Sequence, residues 1–340
     1  MFLIMLFFGC QSEADIRQPE PSLSVEEVEE VEEVEAEGTT TPSERLSNGL
    51  GMGVISRGET NPIYGTALPY DNYTVRPVSF QVAEGFRVSG ALWEPNDEGP
   101  RVGAVVAHGH FGEGKSSGEA QGVAHALAMA GFVALAIDTP GVEEGDRPNR
   151  QIHFDEGAEN RQILEAAGSS AMALQLHGLM AGVDLLESMD GVNKIIATGA
   201  SGGAVQAGYL GLLDSRIDAV VMASYVPTPR SSDPGGCLCD SIPGYSGPDG
   251  ALLKSLTIPN LWISELDPSD TSGVGPQGTA LTIEGDHGYN AEMINAAIAW
   301  LASVFQLEGV PEITAIPNTP STMLRSEGVG PMGIADIIQP

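Results

Sequence analysis

The chain has 340 residues, and its 46 acidic side chains outnumber 15 lysines and arginines, for a formal net charge of −31. A surface this acidic excludes nucleic-acid binding by phosphate neutralisation, because the polyanion would be repelled. The length allows one large α/β domain or two smaller ones, and a hydrophobic content of 42% is enough for a sizeable core.

Residues 1–8 are uniformly apolar and are followed by Gly9 and Cys10. Eight residues are too few to cross a bilayer. A short apolar run before a small residue and a cysteine resembles a bacterial lipoprotein signal, with Cys10 as the lipid-bearing new N-terminus. No basic residue precedes the run, and Phe7 stands where such signals usually carry leucine. The expectation is a protein of the bacterial cell envelope, facing the periplasm or exterior and touching the membrane only through its lipid. Residues 11–48 hold twelve acids against two arginines and include the repeat SVEEVEEVEEVEAEG. Mutual repulsion of the glutamates predicts a solvated, disordered linker.

From residue 49 the pattern becomes that of a folded domain, expected over 49–310. Residues 74–82 and 86–93 read as two strands joined by a Glu84-Gly85 turn, a hairpin. Residues 102–107 form a continuous apolar run suited to a central parallel strand. A helix is predicted over 117–130, a strand over 132–137 and a loop over 139–157. A long helix follows over 169–188. A short apolar run at 195–197 then leads into Gly199-Ala200-Ser201-Gly202-Gly203 and a helix ending at 213. Further strands read at 217–223, 258–264 and 279–284, with a last helix over 290–305. Residues 224–250 are an irregular, proline- and glycine-rich excursion. The tail, 311–340, shows no period and is left unassigned. Strands alternating with helices from residue 102 onward imply a mostly parallel sheet covered on both faces, entered through the antiparallel hairpin.

G-x-S-x-G between a strand and a helix is a nucleophile elbow. The serine must take a strained backbone angle on a sharp turn, so its neighbours must be small. The helix N-terminus beneath it favours developing negative charge. A serine hydroxyl needs a base held by a carboxylate, and in this chain order the acid precedes the histidine. His287, in Gly285-Asp286-His287-Gly288-Tyr289-Asn290, is the only histidine after Ser201. The preceding strand offers Glu265 and Asp267, with Asp270 further off. Asp267 is favoured because it lies deeper in the loop, where Pro268 fixes the backbone. One oxyanion N–H would come from Gly202. The other would come from the loop His108-Gly109-His110-Phe111-Gly112-Glu113-Gly114-Lys115, whose turn suits the N–H of His110. Cys237 and Cys239 are too few for a zinc site and read as loop structure.

Together HGHFGEGK, FVALAIDTPG, GASGGA and GDHGYN resemble the α/β-hydrolase superfamily, and most nearly its acetyl xylan esterase-like, dienelactone hydrolase-related bacterial branch. The resemblance covers about residues 74–306. It implies the α/β-hydrolase fold and a serine esterase without metal or organic cofactor. Its substrates would be small-molecule or saccharide esters with short acyl groups, acetylated sugars among them. It implies Ser201 as nucleophile, His287 as base, Asp267 as acid, and Gly202 with His110 as oxyanion hole. Dienelactone hydrolases proper carry cysteine where Ser201 stands. Glucuronoyl esterases carry arginine just after the serine, where this chain has Gly202. The competing expectations are a non-catalytic surface lipoprotein, which needs no intact triad, and a peptidase, which usually adds a propeller or large lid domain.

Overall fold

In a computed structural model, the described residues are 40–97, 101–109, 113–153, 157–225, 242, 250–265, 274–314 and 318–338. Cys10, the acidic repeat, His110, Cys237, Cys239, Asp267 and Asp270 lie outside them.

Two short strands, β1 (Ile63–Tyr64) and β2 (Leu68–Pro69), pair with β3 (Tyr73–Ala83), which forms a hairpin with β4 (Phe86–Pro95). The turn between them places Gly85 at φ +74°, as the Glu84-Gly85 reading expects. Six strands follow: β5 (Arg101–Ala107), β6 (Phe132–Ile137), β7 (Val192–Ala200), β8 (Ile217–Ala223), β9 (Asn260–Ser264) and β10 (Gly278–Thr282). The sheet order is β1-β3-β4-β6-β5-β7-β8-β9-β10, with β2 beside β3. β4 meets β6 antiparallel, and every contact from β6 to β10 is parallel. The central strands are buried on both faces, which is why they read as unbroken apolar runs.

Helices cover both faces. Alternate residues of each strand feed two separate cores. Val105, Ala107, Leu135 and Ile137 pack with α4 (Ala171–Glu187) and α5 (Gly202–Leu213). Ala104, Val106, Ala134 and Ala136 pack with α2 (Gly118–Met129) and α7 (Ala291–Phe305). Side-chain oxygens cap the helices as their sequences suggest: Ser117 accepts from Ala120 N, Ser170 from Ala173 N and Asn290 from Met293 N.

Three readings need correction. The linker does not extend to residue 48, because α1 (Pro42–Leu50) is a helix. Thr41 and Glu44 form a reciprocal capping box, and Leu46 and Leu50 are fully buried in the core. A helix α3 (Ala158–Ala166) stands in a stretch the sequence reading left blank, and a short α6 (Gly250–Leu253) closes the excursion. The tail is also ordered in part. Leu324 and Ile334 are fully buried, and Gln121 bonds both backbone groups of Thr319. Among the described residues no helix is long and apolar enough to cross a membrane.

Candidate active site

The carboxyl ends of the parallel strands share one edge. The chain leaves that edge at His108 from β5, Asp138 from β6, Ser201 from β7, Ser224 from β8 and Glu265 from β9. His287 follows five residues after the end of β10.

Ser201 has φ 53° and ψ −119°, a conformation that costs a non-glycine residue energy. Its N–H donates to Ala223 O at 3.0 Å, and its carbonyl accepts from Ala204 and Val205 as the first turn of α5 begins. The flanking glycines are required by space. A Cβ on Gly199 would lie 2.5 Å from Ala107 O, and one on Gly203 would run into the same carbonyl. The β5 loop comes just as close. Gly109, at φ +76°, could not carry a Cβ without meeting Gly203 N at 2.9 Å. That loop is held from below, where Gly109 N donates to the buried Gln206 Oε1 and Thr139 Oγ1 donates to Gly109 O.

The imidazole of His287 is 56% exposed, so an incoming molecule can reach it. Its Nδ1 lies 2.6 Å from Glu265 Oε1. A carboxylate there holds the proton on Nδ1 and leaves Nε2 as the basic nitrogen. Burial works to raise the Glu265 carboxyl, but the hydrogen bonds from His287 and from its own backbone N–H lower it, and it is held below the usual glutamate range. The residue the structure brings to His287 is therefore Glu265, whereas the sequence reading favours Asp267, which lies outside the described residues.

The histidine loop is fixed from several sides. Tyr289 N donates to Glu119 Oε2 at 2.8 Å, and the buried Tyr289 hydroxyl bonds Thr198 Oγ1, three residues before Ser201. Burial raises the Tyr289 phenol, so this hydroxyl stays protonated. Ser224 Oγ bonds both backbone groups of Gly288. Glu119, Gln206, Thr139 and Ser224 are absent from the sequence reading. Only the isolated Gln206 in the apolar stretch AVQAG is a sequence signal for any of them.

Beside the β5 loop lies a cavity of about 690 Å³, lined by Glu113, Ser116, Glu144, Arg147, Thr319 and Arg325 among others. Two of its lining residues, Glu143 and Glu144, together with Asp138 accept from the ammonium of the fully buried Lys115 at 2.7–2.8 Å. Burial opposes that charge, but the three carboxylates outweigh it and raise the lysine above its usual range. Among the described residues no cluster of histidine, cysteine and carboxylate side chains could hold a metal ion.

No family model matches the chain, and no curated protein matches it. Solved structures do. Methylesterase BT1017 superposes with a TM-score of 0.68 at 21% identity, covering 85% of this chain and 68% of that one. Acetyl xylan esterase 1 from a Thermoanaerobacterium species gives 0.58 at 13% identity over 77% of this chain and 94% of its own. The acetyl xylan esterase from Paenibacillus sp. R4 gives 0.57 at 17% over 76% and 92%. This chain has the α/β-hydrolase fold. Ser201 stands on the turn from β7 into α5, and His287 in the loop after β10.

Proposed function

We propose that the protein is a serine carboxylic-ester hydrolase acting on short acyl esters, acetylated saccharides among them. The observation that carries the reading is the pairing of two features on one sheet edge: a serine strained at a helix N-terminus and a histidine already bonded through Nδ1 to a carboxylate. His287 Nε2 takes the Ser201 proton as Oγ attacks the ester carbonyl. The oxyanion then receives N–H groups from Gly202 and, on the sequence reading, His110. The alcohol leaves with the proton returned by His287, and water repeats the cycle to free the acid. Glu265 holds the imidazole tautomer and stabilises the imidazolium. Neither step needs a metal or an organic cofactor.

The esterase names of the similar structures support this reading. The test is hydrolysis of p-nitrophenyl acetate. Ser201→Ala is expected to lower kcat by roughly four to six orders of magnitude while leaving the fold intact. Wild-type turnover in that variant would overturn the reading.

A further inference from the structure

Ser224 is the first residue beyond β8 and has φ 48°, a left-handed backbone that glycine would adopt without cost. A serine kept at such an angle directs attention to its side chain. Its Oγ accepts from Gly288 N at 3.0 Å and donates to Gly288 O at 2.8 Å. These two groups belong to the peptide planes on either side of Gly288, so one hydroxyl fixes both. Gly288 directly follows His287 and has φ 132°, a backbone that residues with side chains rarely adopt. The residue before Ser224 completes the arrangement, because Ala223 O accepts the N–H of Ser201. One dipeptide at the end of β8 thus holds the nucleophile's peptide on one side and the histidine's loop on the other.

We propose that Ser224 is a positioning residue for His287, setting the imidazole against Ser201 and Glu265. The proposal rests on the esterase reading. A purely structural serine would act on stability. A positioning serine acts on turnover, and only while the histidine is present. A misplacement of about 1 Å at a catalytic group costs on the order of 100-fold in rate.

The experiment compares Ser224→Gly and Ser224→Ala with the wild type on p-nitrophenyl acetate, each also in a His287→Ala background, with melting temperatures recorded. Glycine relieves the backbone strain and alanine keeps it, while both remove the hydroxyl. Both are expected to fold and to lose roughly 10- to 100-fold in kcat, with KM within about two-fold. In the His287→Ala background neither should lower the residual rate further. Wild-type kcat in a folded Ser224 variant, or an equal loss with and without His287, would overturn the proposal. If His287→Ala alone leaves the rate unchanged, the esterase reading itself fails, which is a separate and distinguishable result.

Discussion

Two carboxylates, Glu265 and Asp267, compete on paper for one histidine, and the geometry explains which one meets it. The pairing of β9 with β10 runs to Ser264 opposite Thr282, and Ile283 N still donates to Ser264 O. Glu265 is thus the first residue past a strand edge that remains paired. His287 folds back through the bends of residues 285–288 and brings Nδ1 to that edge. The sequence argument places the acid deeper in the loop because Glu265 stands close to the end of its strand and Pro268 fixes the backbone beside Asp267. Glu265→Gln is expected to lower kcat by roughly 10²–10⁴, with Asp267→Asn near wild type. Steady-state kinetics on the same ester checks it, and the reverse pattern would return the role to Asp267. The sharp glycine-flanked turn at Ser201 and the loop position of His287 are legible because turn chemistry and chain order constrain them locally. Ser224, Glu119 and Gln206 are not, because their partners lie 64, 170 and 97 residues away.

At the scale of elements, the buried strands were the most legible, since a strand covered on both faces has no polar positions to interrupt the run. α1 was hidden by its neighbourhood. The glutamate repeat ends only a few residues before it, so the low-complexity composition runs up to the helix start. The local signals were present: threonine at 41 with glutamate at 44, proline at the first helical position, and leucines at 46 and 50 spaced for one face. That face packs against the elbow helix α5. Leu46→Ala is therefore expected to cost about 2–5 kcal/mol of stability. Urea denaturation measures it, and a midpoint unchanged from wild type would mean that α1 is dispensable to the domain.

Among the described residues, contacts that join segments distant in sequence bind the domain together. The tail shows no period because its few buried side chains, Leu324 and Ile334 among them, are widely spaced and much of the rest is held by its backbone. Arg147 and Arg150 donate to carbonyls of residues 329, 330 and 332, and Glu144 accepts from Ser326 N. Such contacts leave no hydrophobic period. A similar tie joins the segment after α1 to α4, where His177 Nε2 donates to Met52 O at 2.9 Å. This histidine is buried, and burial, reinforced by the nearby Arg57 charge, lowers its pKa to about 4. Its proton affinity is then weaker folded than unfolded, where the usual value is about 6.5. At pH 7 the group is neutral in both states and costs nothing. As pH falls from about 6.5 toward about 4 the unfolded chain takes up the proton first, so stability falls, by roughly 3 kcal/mol in total. Below the folded value both states are protonated and the loss is complete. Many carboxylates also titrate in this acidic chain, so the test is a difference. His177→Gln can keep a donor on Met52 O but cannot titrate, and its stability measured by urea denaturation at pH 7, 6, 5 and 4 should fall less steeply than the wild type's. Parallel curves for the two proteins would show that His177 carries no part of the acid sensitivity.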